Sequence, residues 1–262
     1  MNKPTLNLAS VSCIAAALAC GAARADDLVP DGQWRGSGTA ALSVASGNTR
    51  SETLNLNMNA AAVTDSDKLT YYGQALYGRA KANGLTSTSA NLERAGGRYD
   101  RNLTWEVYAY GGLDFTHDQI TLIDLRSVVA GGLGYHLVRA TDNRWDVFSG
   151  LTYKVDRYLE PGVLINDELR THYEAPEVEV GEESVHKLNA TTNLHQRLDF
   201  FEDLHSPGAY RAQFDAGVDV AMTKRMQLTV ALQDRYSSLA VSPILKNDVL
   251  LTAGLTYKFG PQ

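Results

Sequence analysis

The segment from Thr53 to Ala60 reads T-L-N-L-N-M-N-A, so that apolar residues alternate with asparagine or threonine. A period of two separates the two faces of an extended chain, and this segment is therefore predicted to be a β-strand. The same alternation returns near the C-terminus, where residues 249–259 place Val, Leu, Ala, Leu, Tyr and Phe at every second position. Strands of this kind throughout a chain are typical of a barrel that faces lipid outside and a polar lumen inside.

The N-terminus has the three parts of a secretory signal. Lys3 precedes an apolar run from Leu8 to Cys20, and the small-residue site Ala23-Arg24-Ala25 follows. We predict cleavage after Ala25. The run is too short to be a membrane anchor, which needs about 20 apolar residues.

The predicted domain organisation is a signal peptide at 1–25 and one outer-membrane β-barrel at 26–262. Lipoprotein processing at Cys20 is the alternative. Cys13 and Cys20, the two cysteines of the chain, leave with the signal, so no disulfide or thiol chemistry is expected.

Composition narrows the class of protein. The formal net charge of −6 argues against a basic surface that binds nucleic acid. A hydrophobic content of 44% with seven prolines argues against a disordered secreted chain. After residue 25 no apolar run is long enough for a transmembrane helix. A soluble periplasmic β-sandwich and an outer-membrane barrel remain, and the two-faced pattern of almost every strand favours the barrel.

The predicted fold is an all-β, single antiparallel up-and-down transmembrane barrel of about 12 strands. Bacterial single-chain barrels normally have an even number of strands. With both termini in the periplasm, a further strand is required between residues 159 and 192, and 178–188 is the best candidate. Ten strands is the alternative count. Eleven strands are read directly, at 36–46, 50–63, 68–79, 88–99, 103–116, 126–138, 144–158, 193–204, 209–222, 226–238 and 248–259.

Trp34, Trp105 and Trp145 each fall at the start of a predicted ascending strand, and hence at one level near the periplasmic interface. Aromatic side chains form girdles there, because an amphipathic ring is favoured where headgroup meets acyl chain. We predict an aromatic girdle from these three residues.

The final strand matches the pattern polar-x-Gly-x-x-aromatic-x-aromatic through Gly254, Tyr257 and Phe259. This pattern resembles the C-terminal signal that the barrel-assembly machinery reads. Three residues, Gly260-Pro261-Gln262, extend beyond the usual end of that signal. The expected partners are this machinery, periplasmic chaperones, and the lipid and lipopolysaccharide of the outer membrane.

The predicted lumen carries charges of both signs. Such a set either lines a channel and selects solutes electrostatically, or pairs across the interior of a structural barrel. A twelve-stranded barrel lies between filled and open sizes, so size does not decide. The candidate lumen residues are Glu106, Asp114, Asp146, Lys154, Asp156, Arg197, Asp199, Arg211, Asp215, Asp219 and Arg235, with Lys258 beside them.

Enzymatic chemistry has little support in the sequence. His195 and Asp199 are the nearest approach to a dyad, but four residues of strand separate them by roughly 13 Å. His117-Asp118 is too small a set for a metal site. The acidic stretch 159–183, predicted to be an extracellular loop, could collect divalent cations. No catalytic, cofactor-binding or metal-ligating residue is predicted, and a barrel hydrolase is the weakest alternative.

Several motifs together resemble the YdiY-like family of salt-induced outer-membrane proteins. They are Trp34-Arg35-Gly36 with Gly38, the turn Ser46-Gly47-Asn48-Thr49, the strand Ala130-Gly131-Gly132-Leu133-Gly134-Tyr135, and the terminal Gly254-Leu255-Thr256-Tyr257-Lys258-Phe259. The resemblance covers about residues 30–260. It implies an outer-membrane location and a link to salt or osmotic stress, and it brings no catalytic residues.

Overall fold

The alternation in the sequence becomes a closed β-barrel in the computed structural model of the chain. The structure describes residues 29–45, 49–82, 85–165, 168–239 and 246–261. The predicted signal peptide and the predicted turn at Gly47-Asn48 lie outside these described residues. Within them, no helix has the length and apolar character needed to cross a bilayer.

The described residues form fourteen strands, of which twelve build the barrel. The remaining two, β8 and β9, pair only with each other. In chain order the strands are β1 (Trp34–Ala45), β2 (Thr49–Val63), β3 (Asp67–Ala82), β4 (Leu85–Asn102), β5 (Val107–Asp118), β6 (Ile123–Arg139), β7 (Asn143–Tyr158), β8 (Val163–Ile165), β9 (Glu168–Arg170), β10 (His172–Lys187), β11 (Thr192–Asp203), β12 (Tyr210–Ala221), β13 (Met226–Ser237) and β14 (Asn247–Phe259).

Each barrel strand pairs antiparallel with its neighbours along the chain. Strand β7 pairs with β10 across the β8–β9 connection, and β1 pairs with β14 to close the barrel, with Gly36 opposite Phe259. The predicted single up-and-down antiparallel barrel of twelve strands is therefore confirmed. The count of ten and the soluble two-sheet sandwich are wrong.

The twelfth strand, inferred from parity, is β10. It was predicted at 178–188 and extends over His172–Lys187, paired on both edges with β7 and β11. The strand begins earlier because the alternation continues upstream: Tyr173 and Ala175 are buried, whereas Glu174 is exposed.

Two connections are shorter than the bounds of the predicted strands implied. The polar stretch 80–86, between the predicted strands 68–79 and 88–99, is mostly strand, since β3 runs to Ala82 and β4 begins at Leu85. Likewise β5 continues to Asp118. Where both faces of a hairpin meet water, polar residues extend an antiparallel ladder as well as apolar ones do. Polarity alone therefore does not mark the end of these strands.

Burial is inverted relative to a water-soluble protein. Outward-facing Leu42, Leu151 and Leu251 are each more than 60% exposed, whereas inward-facing Asn55 and Asp219 are almost fully buried. An apolar band on the outer wall and a polar interior are what a bilayer requires of a barrel. The packed interior of this fold is therefore polar, and it is where a functional site is to be sought.

The two ends of the barrel differ. We call the end where β1 begins and β14 ends the terminal end. The opposite end, which carries the β8–β9 hairpin, is the loop end. Ile165 of this hairpin is buried against Tyr173 and Ala175 of β10. Because those two side chains face inward, the hairpin turns over part of the mouth at the loop end.

Candidate functional site

A cavity of about 270 Å³ lies inside the barrel, in the half near the loop end. We call it the vestibule. Its part nearer the loop end is apolar and includes Ile123, Val163 and Ile165. Its part nearer the middle of the barrel is lined by charged side chains such as Arg94 and Glu179. The vestibule has room for on the order of ten water molecules.

The charged side chains around the vestibule are arranged in pairs. A buried charge is tolerated when an opposite charge and hydrogen bonds compensate for its lost hydration. The pairs are Arg94–Asp114, Arg98–Asp100, Arg126–Asp156, Lys154–Glu177, Arg211–Glu177, Arg197–Asp199, Arg197–Glu183 and Arg235–Asp215.

Glu177 of β10 joins three strands. Its carboxylate accepts hydrogen bonds from Thr152 Oγ1 at 2.9 Å, from Lys154 Nζ at 2.9 Å and from Arg211 Nη2 at 2.8 Å. Only 1% of Glu177 is exposed. The side chain therefore links β7, β10 and β12 from inside the barrel.

Stacked side chains form the floor of the vestibule. The Arg98 guanidinium lies 4.2 Å from the Tyr110 ring centroid, and those of Arg98 and Arg197 lie 5.0 and 4.8 Å from that of Phe148. A cation over an aromatic face is attracted by the ring quadrupole. The Phe148 ring lies flat on the wall over Gly181, where a Cβ would overlap it. This glycine lets the ring and both arginines pack as one layer.

A different surface occupies the other side of the lumen. On five adjacent strands, the inner-facing side chains of 227–233, 250–256, 37–43, 51–63 and 70–80 carry no charge within the described residues. We call this surface the neutral wall. Its polar members are amides and hydroxyls. The charge pairs instead lie on the inner faces of β4 to β12, together with Arg235 near the end of β13.

Hydrogen bonds run across the neutral wall. Asn55 Oδ1 accepts from Asn57 Nδ2 at 3.1 Å and from Gln74 Nε2 at 3.0 Å. The Thr256 hydroxyl lies 2.7 Å from that of Thr39 and 2.8 Å from that of Thr229. The asparagines of the opening T-L-N-L-N-M-N-A segment thus face the lumen, and their leucine neighbours face outward.

The structure places the predicted lumen residues as follows. Glu106 lies in the turn before β5 with an exposed side chain, and its predicted place in a strand was wrong because β5 begins at Val107. The others lie on inner faces: Asp114, Asp146, Lys154, Asp156, Arg197, Asp199, Arg211, Asp215, Asp219, Arg235 and Lys258.

The predicted acidic loop 159–183 is wrong in its second half, because β10 begins at His172. Glu177 and Glu179 of that stretch are buried in the lumen, and the latter accepts a hydrogen bond from Tyr110 at 2.7 Å. The alternation E-V-E-V at 177–180 was the signal that could have identified them. Arg94, Arg98 and Arg126 were also missed.

His195 and Asp199, whose spacing on one strand was judged too long for a dyad, have separate partners. His195 pairs with Asp219 of the next strand at 3.2 Å, and Asp199 pairs with Arg197. His117 Nδ1 bonds the backbone oxygen of Asp124. Among the described residues, no group of three His, Cys, Asp or Glu side chains is placed to hold a metal ion.

The three tryptophans lie at the terminal end, with exposed rings. Trp34 and Trp145 are at the starts of β1 and β7, and Trp105 is in the turn before β5 rather than in a strand. Asp31 lies before the first strand, where its carboxylate accepts a hydrogen bond from the Arg35 guanidinium of β1, which holds the pKa of Asp31 well below the usual range.

The last strand brings the predicted assembly residues to the closing seam. Tyr257 faces outward, and the Phe259 ring packs over Gly36 of β1. Gly254 faces the lumen, where a Cβ would overlap the backbone at Ala40.

A closed antiparallel barrel with an apolar outer wall and a polar, charge-paired interior is the architecture of outer-membrane barrels. The chain belongs to the family described as protein of unknown function, DUF481, whose profile matches residues 38–259. This is the family to which the YdiY-like resemblance pointed. No curated protein matches the sequence.

Solved structures with the same fold are outer-membrane barrels. The translocator domain of autotransporter NalP from Neisseria meningitidis has a TM-score of 0.50 and 12% identity, over 90% of this chain and 92% of that one. The NanC porin has a TM-score of 0.51 and 7% identity, over 86% of this chain and 100% of that one. At such identities the likeness concerns the fold alone.

Proposed function

We propose that this protein is an outer-membrane barrel that passes small polar solutes or ions through its lumen. The vestibule is the observation that carries the proposal. It provides an internal volume lined by fixed charges in the half of the barrel near the loop end, and such charges raise the local concentration of an oppositely charged solute before a constriction.

The floor of the vestibule limits what can pass. Arg98, Phe148 and Arg197 form one stacked layer at mid-lumen, and each arginine is also held by carboxylates. This layer leaves no wide, open pore of the porin kind through the lumen. The proposed passage is narrow, and its rate depends on this layer.

The proposed location follows from the fold and the sequence together. The chain is exported by a signal peptide cleaved after Ala25, and the assembly machinery reads the segment that ends at Tyr257 and Phe259. The terminal end then faces the periplasm and the loop end faces the exterior. Cell fractionation tests this: mature protein recovered from the soluble periplasm would overturn it.

A non-conducting structural barrel is the second candidate, and the charge pairing favours it. Lys154, Glu177 and Arg211 satisfy one another, as they would if their role were to hold three strands in register. In that case no solute passes from the vestibule to the terminal end. An enzyme is not proposed, since the His195 ring is engaged with the Asp219 carboxylate of the neighbouring strand.

Planar-bilayer recording of the purified barrel separates the two candidates. Stepwise conductance whose ion selectivity changes in Asp215→Asn supports a passage. Absence of conductance from heat-modifiable, folded protein would overturn it and leave the structural barrel. The salt-stress role implied by the family resemblance is a separate proposal, tested by measuring whether the protein level rises when the cells meet high salt.

A further inference from the structure

We propose that the vestibule binds small organic anions in which an apolar body carries one carboxylate, and that Arg126 is the residue that holds the carboxylate. The inference rests on the proposed passage, since it names the solute class that enters the same cavity. Three features carry it: the apolar lining near the loop end, a guanidinium with one nitrogen left over, and the size of the cavity.

The part of the vestibule near the loop end is lined mainly by apolar side chains. Ile123 of β6 lies opposite Tyr158 of β7. Tyr158 in turn packs against the cluster of Ile165, Tyr173 and Ala175, which the β8–β9 hairpin completes. An apolar body leaves water on entering such a lining, which is favourable, whereas a hydrated ion gains nothing from it. The lining therefore favours a solute with an apolar portion.

Arg126 follows this lining on the inner face of β6 and keeps one nitrogen uncommitted. Its Nε and Nη2 donate to the Asp156 carboxylate at 2.6 and 2.8 Å. Its Nη1 makes no hydrogen bond to a described residue. The side chain is 23% exposed and lines the vestibule. A guanidinium has five N–H groups, so Arg126 can hold Asp156 and a second carboxylate at once.

The carboxylates beside Arg126 are already engaged. Asp156 also accepts a hydrogen bond from the Tyr158 hydroxyl at 2.9 Å. Asp118 accepts one from the backbone N–H of Ile120 at 3.0 Å. The polar group left to meet a solute next to the apolar lining is therefore a charged donor. A carboxylate matches it, because hydrogen bonds between guanidinium and carboxylate are roughly twice as strong as those between neutral groups.

The cavity sets the size of the solute. Its volume of about 270 Å³ has room for on the order of ten non-hydrogen atoms. Benzoate and octanoate are of this size. Val128 lies on the same inner face as Arg126 and also lines the vestibule. A solute whose carboxylate meets Arg126 therefore has its apolar body among Val128, the wall of β6 and the hairpin.

The test is a ligand-observed NMR titration of benzoate with the folded barrel in lipid nanodiscs, and protein-free nanodiscs are the blank. We expect saturable binding of benzoate. Acetate, which lacks the apolar body, and benzylamine, which carries the opposite charge, should bind more weakly. Equal affinity for benzoate and acetate would overturn the role of the apolar lining. Tighter binding of benzylamine would overturn the role of Arg126.

Variants of β6 locate the site. Val128→Phe fills the vestibule beside Arg126, and its matched control is Val129→Phe, which places the same ring on the outward-facing neighbour. We expect Val128→Phe to abolish saturable binding and Val129→Phe to retain it. Equal binding in the two variants, both folded and heat-modifiable, would overturn the site.

Substitution of the arginine tests the recognition itself. Arg126→Gln should weaken benzoate binding at least about tenfold, the loss that a hydrogen bond between charged groups accounts for. Arg126→Lys keeps a cation beside Asp156, which protects the fold, and removes the spare nitrogen, so benzoate binding should weaken there as well. Wild-type affinity in folded Arg126→Lys and Arg126→Gln would overturn the assignment of this residue.

Binding and passage fail separately. Planar-bilayer recording with benzoate as the anion measures passage. Saturable binding without conductance would overturn the proposed passage and leave the site standing. Conductance of small ions without any binding of benzoate would overturn the site and leave the passage standing.

Discussion

Nζ of Lys154 lies 2.9 Å from Oε1 of Glu177, and both side chains are at least 95% buried within the barrel. The pair faces inward from adjacent strands β7 and β10 and sits on the side of the lumen opposite the neutral wall. Because both charges have left water, they depend on their ionic partners: Glu177 also accepts from Arg211 at 2.8 Å, whereas the next carboxylate to Lys154 is that of Asp203 at 3.9 Å.

The first prediction concerns this pair. Glu177→Gln should lower the free energy of unfolding by about 3–5 kcal/mol, because Lys154 and Arg211 are left buried without their carboxylate. Urea unfolding from lipid vesicles measures the change. The control is Glu174→Gln on the same strand, where the carboxylate is nearly half exposed and contacts Tyr153 and His172. A similar loss of unfolding free energy in both variants would show that the contribution of Glu177 to stability does not depend on its burial.

The second prediction concerns the two faces of β2. Leu56→Arg should cost about 2–4 kcal/mol of folding free energy if the site lies near the bilayer midplane, because a cation would then face hydrocarbon. Asn57→Arg should cost much less, since that side chain faces the lumen. Folding titrations in vesicles measure both. Equal costs would mean that this strand does not separate lipid from a polar interior.

The third prediction concerns assembly. Replacement of Phe259 by Asp should reduce the folded, heat-modifiable fraction in the outer membrane, because the ring packs over Gly36 at the β1–β14 seam and belongs to the predicted terminal signal. Pro261→Asp, which lies beyond the last strand, should assemble normally. Normal assembly of Phe259→Asp would show that the signal was misread.

The fourth prediction concerns the floor of the vestibule. Phe148→Ala removes the ring over which Arg98 and Arg197 stack, and single-channel conductance should rise because both arginines lose their support. Tyr153→Ala removes an aromatic side chain from the outward face of the same strand and should leave conductance unchanged. A conductance that rises equally in both would point to a general loosening of the barrel.

Much of the fold could be predicted because alternation is a local property. The apolar neighbours of Asn55 and Asn57 are enough to show that these asparagines lie on the polar face of a strand. The number of strands follows from parity once both termini are placed on the same side of the membrane. The twelfth strand was harder to see. Its glutamates predicted a solvated loop, because the residues next to Glu177 in sequence do not show that Lys154 and Arg211 pair with it in the folded barrel.

The site depended on register, which the sequence does not carry. His195 meets Asp219, and not Asp199, because β11 pairs with β12 in one particular alignment. The prediction that Glu106 lies in a strand was wrong for a related reason. The turn after Asn102 continues to Glu106, so residues 103–106 alternate like a strand but pair with no neighbouring strand. The neutral wall likewise exists only because the first and last strands of the chain meet.

That meeting has a consequence for how the barrel is completed. The β1–β14 seam joins the first and last strands of the chain, and the side chains that face each other across it inside the lumen include Thr39 and Thr256, with hydroxyls 2.7 Å apart. Two hydroxyls can exchange water for each other in either order and at little cost. A seam of buried ion pairs would instead have to find its partners and dehydrate them in a single step. The ion pairs around the vestibule instead lie on β4 to β13, away from this seam, so the pairing of β1 with β14 does not have to wait for them.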